Sequence, residues 1–171
     1  LKQPHNTDSI EIGNFMHKYL EHYVSKEQHF YDESENYGIA KKLAQLVIEN
    51  FINNIDEVWG TEVSVLYKNI YAGTIDLIGM IDDKLCIVDY KSSYRHKSKN
   101  EMEEYFLQLA AYAMAHNILF NTQITKGVIM MCSKDNYYQE FVVEGSDFQK
   151  YKHNFLRRVD EYYSSRAKTS G

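Results

Sequence analysis

Asp76, Asp89 and Lys91 lie on two short apolar stretches separated by the polar pair Asp82-Asp83. If Asp82-Asp83 forms the two-residue turn of a hairpin, antiparallel register sets Asp76 opposite Asp89, with Cβ atoms about 4.5–5.5 Å apart. Lys91, two residues beyond Asp89, emerges on the same strand face. A turn at Asp83-Lys84 would instead set Lys91 opposite Asp76, and in either register the three side chains share a face. The neighbours Ile75, Leu77, Ile87 and Val88 are apolar, which points to a central hairpin. There, like charges repel across the ladder and each buried ion costs several kcal/mol. A divalent cation relieves both penalties, and two carboxylates, a backbone carbonyl and water suit Mg²⁺ or Mn²⁺ better than zinc. The alternative is an exposed hairpin whose acids pair with Lys91 as surface ions. A cation held here would polarise a phosphodiester oxygen and acidify a water beside the ammonium group, so phosphodiester hydrolysis is the natural chemistry.

The elements that must position these groups follow from periodicity. Residues 10–24 carry apolar side chains at helical spacing, with Thr7, Asp8 or Ser9 available as N-cap. A second helical pattern covers 37–53. The period then changes to β-branched and aromatic alternation, predicting strands at 61–67, 71–81 and 85–90. Residues 101–117 lack Gly and Pro and read as helix, followed by strands at 127–132 and 137–143. Ser146 or Asp147 can cap a last helix running to about residue 163, which leaves 163–171 as a flexible tail. The order ααβββαββα predicts an α/β fold: a single domain over 1–171, with a central mixed β-sheet flanked by helices.

At 171 residues and 44% apolar, the chain can build a full core without disulfides or structural metal. Cys86 and Cys132 each sit in an apolar run and read as core residues in a reducing compartment; two thiols cannot build a four-thiolate zinc site or an iron–sulfur cluster. No apolar run approaches the ~20 residues that span a bilayer, and the first thirty residues contain no secretory apolar segment. The chain begins at Leu1, so residues upstream are expected. A net charge of −5 argues against bulk electrostatic coating of nucleic acid, but not against a local basic groove. Two basic clusters stand out: Arg95, His96, Lys97 and Lys99, then Lys150, Lys152, His153, Arg157 and Arg158. Each alone reads as a solvated face.

The pattern Gly73-Thr74-Ile75-Asp76 followed by Asp89-Tyr90-Lys91 resembles the PD-(D/E)XK nuclease superfamily, and within it the RecB-like exonucleases. Ile75 stands where the superfamily's name has proline, a departure many RecB-like members share. Ile12-Gly13-Asn14-Phe15-Met16-His17 fits that branch's helix-borne histidine, and Gln108-Leu109-Ala110-Ala111-Tyr112 fits its Q-x-x-x-Y motif. The resemblance implies the restriction-endonuclease-like core and a cation held by His17, Asp76, Asp89 and the Tyr90 carbonyl. It implies that Lys91 acts on the nucleophilic water, and that Gln108 and Tyr112 position the scissile phosphate or the lysine. Glu62 resembles an upstream acid that touches the metal in some members, directly or through water. Periodicity is compatible with both added motifs. His17 falls at the edge of its helix's apolar face, with Gly13 one turn earlier leaving room for a strand or a phosphate, and Gln108 and Tyr112 share a polar stripe with Glu101, Glu104 and Tyr105.

The loop 92–100 starts beside the site, so Arg95, Lys97 and Lys99 can meet phosphates, while Tyr94 or Tyr105 can stack on unpaired bases. No sequence-reading motif is present. The expectation is a Mg²⁺- or Mn²⁺-dependent DNA exonuclease acting at ends or on single strands, inside a bacterial or phage-infected cell or an organelle, with little sequence specificity, no membrane partner and protein partners unknown. A structure-specific endonuclease on the same fold, or a non-catalytic nucleic-acid-binding module, are the rivals.

Overall fold

β1 (Glu57–Tyr67), β2 (Tyr71–Ile81), β3 (Lys84–Ser93), β4 (Lys126–Ser133) and β5 (Tyr137–Glu144) lie side by side in that order in one sheet. A computed structural model describes residues 6–169. All neighbours pair antiparallel except β3 and β4, which run parallel and need a crossover, supplied by α3 (Glu103–Phe120). α1 (Asn6–Val24) and α2 (Glu35–Asn50) cover one face, where Ile12, Met16, Leu20, Leu43 and Val47 pack on Leu77, Val88, Tyr90 and Met130. α3 and α4 (Gly145–Thr169) cover the other, where Phe106, Leu109, Ala110 and Phe148 pack on Ile75, Ile78, Ile87 and Ile129. Apolar burial on both faces explains why β4 reads as an unbroken run, Gly127 through Cys132, with no alternation. The chain is thus a single domain, a mixed sheet between two helical layers. Among the described residues no helix is long and apolar enough to cross a membrane.

Element ends follow local chemistry and adjust several sequence expectations. α1 already begins at Asn6, so Thr7, Asp8 and Ser9 lie in its first turn and do not precede it. Ser34 Oγ accepts from the Tyr37 N–H and starts α2, which stops at Asn50, short of residue 53. A 3-10 turn, Lys99–Met102, precedes α3 and carries the Ser98/Glu101 capping box. Asn121, left-handed at φ 52°, ends α3. α4 continues as an exposed helix through Thr169, so the tail expected over 163–171 is helical as far as residue 169; residues 170–171 lie outside the described region.

Asp82 and Asp83 both take left-handed angles, φ 50° and 61°, and form the two-residue turn that pairs Ile81 with Lys84. That register runs only as far as Leu77 opposite Val88. Beyond it β2 stays with β1, and β3 stays with β4, so the two central strands part. β2 also rotates at this point. Ile75 packs in the core under α3 and α4, whereas Leu77 packs under α1 and α2, although residues two apart on a regular strand share a face. Asp76 is the residue between them. On the other side of β2, the β1 pairing passes from Thr61/Leu77 to Val63/Ile75 and skips Glu62, whose φ of 47° is left-handed.

A left-handed angle on a side-chain-bearing residue costs about 1–2 kcal/mol, and a β-branched residue tolerates it worst. Glu62→Gly should therefore melt at least ~2 °C above Glu62→Val in thermal unfolding followed by circular dichroism. A regular strand position would give the opposite order.

Candidate active site

The parting of β2 from β3 leaves the Tyr90 N–H without a partner on β2's backbone, and Asp76 Oδ2 accepts it at 2.7 Å. The hairpin therefore brings its two acids together through this side-chain bond and the rotation of β2. The backbone pairing of Asp76 with Asp89 that continued register would give is absent from the ladder. α1 contributes the third group: His17 Nε2 stands 3.3 Å from Asp76 Oδ2. Gly13, one turn back, serves that approach twice. A Cβ there would come within 3.2 Å of Ser92 Oγ on β3, and the Gly13 carbonyl accepts from His17 Nδ1 at 2.8 Å. With Nδ1 donating to that carbonyl, Nε2 is the nitrogen that faces Asp76, and in the metal-free chain it carries the proton that binds the carboxylate.

His17, Asp76 and Asp89 can place one ligand atom each so that all lie within 4.8 Å of one another, and all three are half-buried. Asp89 Oδ2 is buried without a hydrogen bond and has Lys91 Nζ 3.1 Å away as its ion-pair partner. A buried carboxylate oxygen without a hydrogen bond, beside a second carboxylate and an imidazole nitrogen that can lose its proton, is a donor set that fits a hard divalent cation. Glu62 stands outside this cluster but senses it, since burial first and then the charge of Asp76 raise its pKa.

The charges are strongly coupled. Burial alone would lower the pKa of His17, but the hydrogen bond and charge of Asp76 outweigh it and raise the value from 6.5 to about 9. Burial works against ionised Asp76, yet the hydrogen bond and charge of His17, with help from Asp89 and the Tyr90 N–H, hold its carboxyl below the usual range. Burial, then the negative charge of Asp76, push Asp89 up to about 7, with Lys91 offsetting part of the rise. Burial likewise disfavours charged Lys91, and Asp89 more than compensates.

Lys91 Nζ also sits 4.5 Å from the centre of the Tyr105 ring, on α3. It opens onto a groove of about 500 Å³ lined by Tyr105, Gln108, Tyr112, Tyr71 and Arg158. Gln108 Nε2 donates to the Tyr112 hydroxyl at 3.2 Å. The Tyr112 ring lies where a side chain on Gly73 would be, 2.2 Å from an ideal Cβ, so the glycine of Gly73-Thr74-Ile75-Asp76 is required by close packing. Tyr71 and Arg158 carry no motif that marks them for this groove. Composition assigns Arg158 to a solvated basic cluster, although Tyr151, Phe155, Arg158 and Tyr162 recur at helical spacing on one face of α4.

The remaining basic and aromatic candidates stand apart from this groove. Tyr94, Arg95 and His96 line a second, open depression with Lys134 and Asp135. Arg95 is ion-paired with Glu101, and Lys134 Nζ sits 5.4 Å from the Tyr94 ring centre. The Lys97 N–H donates to Gln139 Oε1, and Lys99 is exposed in the 3-10 turn. Lys134, on the β4–β5 turn, carries no motif that sequence could have flagged.

A sequence profile of the PD-(D/E)XK nuclease superfamily matches residues 1–129. Mitochondrial genome maintenance exonuclease 1 of Homo sapiens is 26% identical over 157 residues, covering 88% of this chain and 44% of that protein. The Mus musculus protein of the same name is 27% identical over 159 residues, covering 88% and 45%. The chain thus spans less than half the length of these curated relatives. A crystal structure of a candidate exonuclease from Eubacterium rectale superposes with a TM-score of 0.63 at 12% identity, covering 96% of this chain and 68% of that one, a likeness of fold.

The titrations carry a sign. Between about pH 4 and 7 the folded chain keeps a proton on Asp89 that the unfolded chain has released, and between 6.5 and about 9 it keeps one on His17. Both groups therefore make the metal-free protein less stable as pH rises through these windows. Bound cation would displace the same protons, so Mn²⁺ affinity measured by calorimetry should climb from pH 6 to 9. Asp89→Asn should raise the metal-free melting temperature at pH 8 and abolish the added stability that Mn²⁺ confers on the parent. A melting temperature that falls, or an undiminished Mn²⁺ effect, would contradict the assignment of Asp89.

Proposed function

Because this chain belongs to the PD-(D/E)XK nuclease superfamily, we propose that it is a divalent-metal-dependent deoxyribonuclease that hydrolyses phosphodiester bonds at DNA ends or on single strands. The observation that carries the reading is the cluster of His17, Asp76 and the orphaned Asp89 oxygen with Lys91 at its edge. His17 Nε2, the two carboxylates and the Tyr90 carbonyl would hold Mg²⁺ or Mn²⁺, with Glu62 reaching it through water. Such an ion supplies Lewis-acid polarisation of the phosphodiester and a more acidic water.

Lys91, held between Asp89 and the Tyr105 ring, orients the attacking water and stabilises negative charge gathering on the phosphoryl oxygens. The water oxygen adds to phosphorus as its proton passes to solvent, one ester bond breaks, and the leaving oxygen takes a proton from a second water. Gln108 and Tyr112, bonded to each other at the groove wall, position the scissile phosphate. Tyr94, Arg95, Lys97 and Lys99 form a further stretch of DNA-facing surface, contacting backbone and unpaired bases without reading sequence. The names of the curated relatives support the exonuclease form of the activity, which implies a location wherever DNA is replicated or repaired, in a cell or an organelle.

End-labelled single- and double-stranded oligonucleotides incubated with Mg²⁺, Mn²⁺ or EDTA test the reading. Stepwise shortening with metal and none with EDTA is expected, and a circular single strand should survive. Cutting of the circle would assign an endonuclease, and binding without turnover a non-catalytic module. Lys91→Ala should lower kcat about a hundredfold or more, with the fold checked by circular dichroism because the variant leaves Asp89 without its ammonium partner. Tyr105→Phe, which keeps the ring beneath the ammonium, should retain near-parental kcat, whereas Tyr105→Leu should lower kcat about tenfold with KM little changed. A change confined to KM would make Tyr105 a base-stacking residue.

A further inference from the structure

The groove beside Lys91 does not end at α3. Tyr71, Phe155 and Arg158 line it and also line an adjoining depression of about 200 Å³, whose far wall is Ile70, Val159, Tyr162 and Tyr163. Tyr162 and Tyr163 are about half exposed on an otherwise polar stretch of α4, and Ile70, in the turn between β1 and β2, is 39% exposed. The two rings meet edge to face, with centroids 5.3 Å apart at 82°. The Arg166 guanidinium lies 4.7 Å from the centre of the Tyr162 ring. Arg158 stands at the junction of the two depressions, its Nη1 2.9 Å from Glu104 Oε2, so the acid at the groove mouth is neutralised.

Exposed aromatic rings interleaved with guanidinium groups along a continuous groove form a surface on which unpaired bases stack while phosphates meet the cations. A duplex keeps its base faces covered and has no use for such a surface. We propose that the Tyr162–Tyr163 pair, with Ile70, is a base-stacking subsite for the single strand running along the groove from the metal cluster, Arg158 meeting the phosphate between the two. This inference rests on the nuclease reading and adds to it a preference for unpaired DNA at that end of the groove. Continuity with the groove through Tyr71, Phe155 and Arg158 selects a nucleic-acid strand as occupant over a protein segment.

Fluorescence anisotropy with labelled oligothymidylates of roughly 4 to 12 nucleotides, a range within known single-strand site sizes, tests it with EDTA present to prevent cleavage. Parent affinity should rise with length, and the rise should shrink about tenfold in Tyr162→Ala/Tyr163→Ala and persist in Tyr162→Phe/Tyr163→Phe. Both positions are exposed, and matching melting temperatures check the fold. If the parent binds and cuts DNA but the alanine variant keeps its full gain with length, the stacking subsite is refuted, the nuclease reading stands, and the face is left to a protein contact. A parent that neither binds nor cuts any strand refutes the nuclease reading and the subsite with it. An equal gain for blunt duplex of matching length also overturns the subsite.

Discussion

Where the two central strands part, the N–H of Tyr90 must find a new acceptor, and Asp76 supplies it. A buried backbone donor left unpaired costs roughly 1–3 kcal/mol, so the carboxylate is tied to β3 as firmly as a ladder bond would tie it. Much of the local irregularity accompanies this substitution of side chain for backbone. β2 turns about Asp76, so that Ile75 and Leu77 serve opposite cores, and β1 skips a pair at left-handed Glu62. The strain sits opposite Asp76, where the rotation is needed, and the surrounding layers of α1, α2, α3 and α4 hold it in place.

The same construction concentrates charge where charge is expensive. Asp89 is buried next to Asp76, its Oδ2 without a hydrogen bond, and Lys91 offsets part of the repulsion. His17 shifts the balance on Asp76 by staying protonated. Two anions, an imidazolium and an ammonium thus share one cleft in the metal-free chain, an arrangement that weakens the fold as pH rises. A divalent cation would replace the imidazole proton and satisfy the orphaned oxygen in one event. The cleft therefore trades stability for a charge set that fits a divalent cation.

Three layers meet at this cleft. α1 reaches it from one face of the sheet because Gly13 lets the helix close on β3, while α3 reaches it from the other through Tyr105. Gly73 has the corresponding role on β2, receiving the Tyr112 ring. The two glycines are therefore contact positions for the elements that carry the chemistry, and neither is a turn residue. α4 extends the groove through Phe155 and Arg158, although nothing in its composition separates those residues from an ordinary amphipathic face.

Element order, a turn near Asp82-Asp83 and the place of Cys86 and Cys132 in the core were legible in the amino-acid sequence, because they depend on period, turn chemistry and apolar runs, all of which are local. That Asp76, Asp89 and Lys91 gather together was legible for the same reason, as fixed spacings on one hairpin. The route by which the acids meet was not. Regular alternation and register put Asp76 opposite Asp89, whereas the sheet splits at Leu77 and Val88 and a side-chain hydrogen bond makes the junction. That split, the left-handed angle at Glu62, the membership of Tyr71 and Arg158 in the groove, and the extension of α4 to Thr169 were decided by tertiary packing. Each depends on which distant element lies against the residue, and neither propensity nor spacing carries that information.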